Sequence, residues 1–122
     1  MYVVLAVVAA AVIALVPVAV AAEKEGAGAF GHYQSEIMKA YGIDIAHFKE
    51  QIPGGKAHGQ PVTKYDLQQL LMGIKVELEH TPDKMKALEI SMDHLEEFPD
   101  YYTRLSMMEE EAERDHKAKQ GK

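Results

Sequence analysis

The first 22 residues carry no charged side chain, and all 13 Lys and Arg and all 19 Asp and Glu follow Ala22. This division limits the chain more than any other feature: an apolar leader is followed by a stretch polar enough for one small helical or mixed domain, and by nothing larger in 122 residues. Tyr2 to Ala22 (YVVLAVVAAAVIALVPVAVAA) is 21 residues long, about 30 Å as a helix, the thickness of a bilayer core. It therefore reads as a single-pass membrane helix. A secretory signal peptide also fits, with Val3 to Val16 as its apolar region, Pro17 as a break and Ala19-Val20-Ala21 as the small-residue cleavage pattern. The domain would then be secreted or periplasmic. No Lys or Arg precedes the apolar run, which favours neither reading and gives no orientation. Small residues at Ala9, Ala10, Ala11 and Ala14 also suit close helix packing, as in a filament or virion subunit.

The polar part has a net charge of −6 and no Lys-rich stripe, which argues against nucleic acid as a partner. With no Cys, the chain offers no disulfide, thiolate metal site or thiol nucleophile. Residues 23–31 (EKEGAGAFG) read as a Gly-containing linker, 32–115 as the domain and 116–122 as a charged tail. Tyr33, Ile37 and Tyr41 recur every four residues and predict a short helix ended by Gly42. Asp44 predicts an N-cap for a turn over Ile45 to Gln51, with Ile43 and Phe48 as an apolar staple. Thr63 and Asp66 form a capping-box pattern before Leu67, Leu70, Leu71, Ile74 and Leu78, a helix expected to reach His80. Thr81 as N-cap and Pro82 at the first position open the next helix, with Met85, Leu88, Met92 and Leu95 inward and Ala87, Ile90 and Ser91 beside them. It should stop near Phe98. Pro99 opens a last helix with Tyr101, Tyr102, Leu105 and Met108, after which EEEAERDHKAKQGK lacks an apolar stripe and is expected to fray. No strand pattern occurs, so the expected fold is all-α: an apolar helix followed by a small helical bundle.

Chemistry has few places to reside. The chain has no Gly-x-Ser-x-Gly elbow, phosphate-binding loop, dinucleotide fingerprint or His-Glu-x-x-His pair. The densest set of possible ligands is Glu77 and His80, spaced i, i+3, together with His94 and Glu97 on the next helix and Asp93 as an orienting or substitute ligand. Oxygen and imidazole donors without thiolate would suit zinc, iron or manganese. In a straight hairpin, however, His80 lies at the turn and His94 about 18 Å along the second helix, too far apart to share one ion. The competing reading is structural: His80 completes a helix C-terminus, and His94 bonds a carbonyl or a Tyr side chain in the seam between helices. The seven Met residues read as core filling and Glu109 to Glu113 as a solvated face.

Residues 61–111 also carry a distinctive run: Gly73, Val76-Glu77-Leu78-Glu79-His80-Thr81, Ala87, Asp93-His94-Leu95-Glu96 and Pro99-Asp100-Tyr101-Tyr102. This pattern resembles a family of small helical proteins of unknown function found in bacteria and phages, and the preceding IPGGKAHGQ is similar to that family's lead-in. The resemblance implies a helical domain and no activity. Taken together, size, apolar leader and missing catalytic motifs predict a non-catalytic accessory or structural subunit, tethered through residues 2–22 and bound to other protein subunits. The alternatives are a metal-binding or redox domain built on His80 and His94, and a filament or virion subunit.

Overall fold

A computed structural model describes residues 28–121. The apolar segment 1–22 and the beginning of the expected linker lie outside the described residues, as do the expectations of a membrane span and of a signal peptide. No helix among the described residues is long and apolar enough to cross a membrane.

Within 28–121 the chain is all-α, with no strand. Helix α1 covers residues 28–41 and so begins inside the stretch read as linker. It ends at Gly42, whose φ of +72° is the left-handed value that glycine tolerates and whose N–H donates to Met38 O at 2.7 Å. A 3₁₀ turn, Ile45–His47, follows its N-cap Asp44, which accepts from Ala46 N at 3.0 Å. The turn stops well short of Gln51 because the N–H groups of Gln51 and Ile52 go to Glu89 instead of to a local helix.

A second 3₁₀ turn, Val62–Lys64, precedes helix α2, Leu67–Glu77. The capping box expected at Thr63 does not form. Tyr65 is extended (φ −98°, ψ 154°) and drawn into the core, so the helix starts after it and Asp66 is the N-cap, accepting from Gln69 N at 3.0 Å. Helix α3, Lys84–Glu97, shows the same displacement. Asp83 accepts from Lys86 N at 3.1 Å, while Thr81, the expected cap, accepts only from Asp83 N. A carboxylate is the stronger acceptor, and in both places it takes the capping role from a nearby threonine. Helix α4, Tyr101–Gln120, runs through the segment expected to fray, across the 115/116 boundary. Exposed i, i+4 pairs, Arg104–Asp100 at 2.8 Å and Lys117–Glu113 at 3.0 Å, add modest support.

The core is one cluster. Leu67, Leu70 and Ile74 of α2 meet Ala87, Leu88, Met92 and Leu95 of α3, and Ile37 of α1 and Tyr102 of α4 close it. The segment between α1 and α2 adds Ile43, Ile45, Ala57, Val62 and Tyr65. Two tyrosines fasten α1 to the body: Tyr33 donates to Tyr65 O at 2.6 Å and Tyr41 to Leu71 O at 2.7 Å. Helices α2 and α3 run antiparallel, since Tyr65 meets Glu96 where α3 ends and Gly73 faces Ser91 nearer its middle.

The long connection over residues 48–66 has little regular structure, and carboxylates along α3 hold it. Buried Glu89 accepts from the N–H groups of Gln51 and Ile52, the latter at 2.7 Å. One turn on, Asp93 accepts from Ala57 N at 2.9 Å and crowds Gly55, where an added Cβ would lie 2.8 Å from a carboxylate oxygen. Glu96 then takes Lys64 at 2.7 Å and the Tyr65 hydroxyl at 2.7 Å, and these bonds hold its carboxyl below the usual range. Glu97 pairs with Lys56 at 3.1 Å. Spacings of three and four place all of them along one side of the helix. Glu89→Ala should orphan two backbone donors together and cost about 1–3 kcal/mol in urea unfolding, with hydrogen exchange at Gln51 and Ile52 accelerating before that of α2.

Candidate functional site

The residues that sequence analysis singles out for chemistry separate into a pair that meets and three that lie apart from it. Glu77 and His94 come together, with His94 Nδ1 3.1 Å from Glu77 Oε1. Antiparallel packing explains this although Glu77 ends α2 at the turn and His94 lies near the far end of α3. Helical side chains lean toward the N-terminus of their own helix, so Glu77 reaches down α2 and His94 reaches up α3, and they converge near the level of Gly73 and Ser91. His80 is exposed in the turn after α2, its N–H bonded to Glu77 O. Glu97 is exposed and occupied by Lys56. Asp93 faces the Ala57 loop.

Between Glu77 and His94 stands Tyr102, 1% exposed. Its hydroxyl lies 2.9 Å from Glu77 Oε1 and 3.0 Å from His94 Nδ1. A carboxylate at Glu77 accepts from the phenol, and a proton on His94 Nδ1 would be shared between that carboxylate and the phenol oxygen. Burial, outweighing the opposing effect of the Ser91 hydroxyl and aided by the Glu77 carboxylate, pushes the Tyr102 phenol well above the usual tyrosine range and keeps it a donor. The imidazole is sandwiched from outside by Tyr101, with ring centroids 4.3 Å apart and planes 14° from parallel.

Three further residues build the seat for that ring. At Gly73 an added Cβ would collide with Tyr102 Cε2 and stand 2.7 Å from Ser91 Oγ. Glycine inside a helix costs about 1 kcal/mol relative to alanine, and here its bare Cα is what admits the ring. Ser91 turns its hydroxyl back to Ala87 O at 2.8 Å, leaving a small, satisfied wall. Gln69 accepts from Tyr102 N at 3.1 Å and donates to Thr103 Oγ1 at 2.6 Å. It caps α4 from a neighbouring helix, where the N-cap Asp100 makes no side-chain cap of its own. Sequence analysis places Tyr102 on an apolar stripe, meets Gly73 only as part of the run that carries the family resemblance, and passes over Gln69. A glycine at the centre of an otherwise well-formed helix was the available signal, since it marks close approach of a neighbour.

No buried polar side-chain atom among the described residues lacks a hydrogen-bond partner. Nor do the described residues gather three or more His, Asp or Glu side chains suited to a metal ion. Glu77 and His94 alone supply two donors, fewer than the three or four protein ligands that zinc usually takes. Beside the ring, between α2 and α4, lies a shallow hollow of about 230 Å³ that includes Met72, Val76 and Leu105.

The profile of a family described as a protein of unknown function, DUF5661, matches residues 34–111. The chain belongs to that family. No curated protein and no solved structure matches it. The DUF5661 span takes in the Gly73 seat, the Glu77–Tyr102–His94 cluster and the whole α3 carboxylate row, and ends inside α4.

Two substitutions test this account of the DUF5661 domain. Gly73→Ala raises helix propensity yet should lower stability by about 1–3 kcal/mol through overpacking, read as an earlier urea midpoint with an unchanged slope. Tyr102→Phe should act through pH. A phenol whose folded pKa is raised stabilises the fold fully below the ordinary value of about 10 and loses that contribution as pH climbs toward the folded value. The wild-type melting temperature should therefore fall above about pH 10 more steeply than that of Tyr102→Phe. A residual slope from Tyr33, Tyr41 and Tyr65, all shifted upward by burial, should remain in both.

Proposed function

We propose that this DUF5661 chain is a small non-catalytic accessory or structural subunit, tethered in a membrane through residues 2–22 and presenting its helical domain to other protein subunits. One observation carries the reading: the polar cluster at the centre of the domain spends its hydrogen-bonding capacity on itself, while the unsatisfied surface is apolar and lies outside. Glu77, Tyr102 and His94 bond one another, and two of the three are almost fully buried. Such a cluster orders a core rather than turning over a substrate. By contrast, Phe98, Met107 and Met108 are 49%, 63% and 58% exposed, close together where α4 leaves the body. Methionine and aromatic side chains in that setting suit adaptable protein contacts. The tether rests on the uncharged length of Tyr2 to Ala22, sufficient to span a bilayer.

The test is to isolate the full-length chain from its own cells under gentle detergent. Intact mass should include residues 2–22, the chain should sediment with membranes, and it should co-fractionate with other protein subunits in fixed ratio. A soluble chain beginning at Ala22 or Glu23 would remove the tether, and a chain that migrates alone after chemical cross-linking would remove the subunit reading.

A further inference from the structure

Helices α1, α2 and α4 run in one direction. Tyr33 of α1 bonds Tyr65 O just before α2 begins, and Tyr41, farther along α1, bonds Leu71 O within α2. Gln69 of α2 holds the start of α4 at Tyr102 and Thr103, and farther along Val76 and Glu79 border the same hollow as Ser106 and Glu109. The first turn of α1 therefore lies at one end of the domain, and the tip of α4 leaves from the other.

The two ends differ in chemistry. At the α1 end the helix outruns its support: residues 28–32 are all exposed, and Cβ atoms added at Gly28 and Gly31 would meet nothing within 4 Å. Gly26 to Gly31 (GAGAFG) carries no charge, and only Glu23, Lys24 and Glu25 separate it from the uncharged residues 1–22. Within it Phe30 is 39% exposed. A bulky aromatic side chain on an uncharged helix turn, a few residues from an apolar span, suits the boundary between water and lipid. The far end is the opposite. Eight of the eleven residues from Glu109 to Lys119 are charged, and a helix polar all round stays in water.

We infer that the first turn of α1 rests in the water–lipid boundary of the bilayer through Phe30, so that the domain stands on this end and α4 points its tip away from the membrane. The inference rests on the tethered reading and adds the surface that the bilayer touches. It also holds exposed Met107 and Met108 on an arm directed away from lipid, where other subunits can reach them. The tether alone does not force the contact. Eight residues lead from Ala22 to Phe30, enough to hold the two as much as about 28 Å apart when extended.

The chain has no Trp, so a single substitution installs a single fluorescent reporter. The experiment places full-length Phe30→Trp and Lys119→Trp in vesicles of phosphatidylcholine and phosphatidylglycerol, part of the lipid being brominated near the top of its acyl chains. Both positions are exposed, which spares the fold, and circular dichroism verifies it. Flotation of the vesicles reports the tether separately. Phe30→Trp should emit at shorter wavelength than Lys119→Trp and lose roughly half of its intensity to bromine, whereas Lys119→Trp should lose almost none. A chain that floats with Phe30→Trp unquenched overturns the inference and leaves the tether standing; a shift to shorter wavelength without quenching would assign Phe30 to a protein contact instead. Equal quenching at both positions also overturns it, because α4 would then lie along the bilayer. A chain that does not float removes the tether and this inference together.

Discussion

The absence of a side chain at Gly73 is the condition on which the interior depends. Tyr102 must pass between α2 and α3 to reach Glu77, and the Cβ of any other residue at position 73 would stand in its ring. Once the ring is seated, one side chain performs several tasks. Its phenol satisfies a buried carboxylate, its oxygen receives His94, its backbone N–H is capped by Gln69, and its aromatic face fills the core. The three helices are thus joined by hydrogen bonds of defined direction as well as by apolar contact. Apolar surfaces of similar shape can slide by a turn, whereas a buried carboxylate with one phenol in reach has a single register that satisfies it.

The acidic composition is explained in large part by the same economy. Glu77 and Glu89 are buried acceptors, Asp93 and Glu96 hold a loop, and Asp44, Asp66 and Asp83 cap helices. These are architectural carboxylates, each directed at a backbone N–H or at a hydroxyl or imidazole of the chain itself. The negative charge left over is concentrated in α4, from Glu109 to Glu113, on a stretch exposed to solvent where Glu113 pairs with Lys117. A net charge of −6 taken as a bulk property would suggest a diffuse acidic surface, whereas the structure assigns most of the carboxylates in the body of the domain to its own fold.

Local signals in the sequence carried much of this fold. The periodicity of Leu67, Leu70 and Ile74 and of Leu88, Met92 and Leu95 marks the core faces, and Gly42 and Asp44 mark a helix end and a cap that form as expected. Where two capping residues lie close together, local rules do not choose between them. Thr63 and Asp66, and Thr81 and Asp83, are both plausible starts, and the choice is made by where Tyr65 must go and by the stronger acceptor. Buried Glu77 and Glu89 were illegible for a different reason. Their partners are 25 and 38 residues distant, and hydropathy treats a carboxylate as solvated whatever it touches. The spacing of Glu77 and His80 drew attention to a shared face of one helix, while the contact that forms crosses to His94 on the next, through the lean of both side chains.

The persistence of α4 follows from how its first turn is secured. A helix pays its largest entropic cost in nucleation, and each later residue adds nearly one hydrogen bond for one residue fixed. Here nucleation is done by the body: Tyr102 is locked in its seat, Gln69 caps its N–H, and Tyr101 stacks on His94. Propagation outward then needs only residues of good helix propensity, and Met107 to Lys119 is almost entirely Met, Glu, Ala, Arg and Lys, with Asp115 and His116 as the exceptions. The buried cluster and the projecting helix are therefore one device. Polar groups withdrawn from solvent at Glu77 and His94 fix the base of an arm whose exposed face lies beyond the core, and a change at Gly73 that unseats Tyr102 would loosen the arm without touching any residue on it.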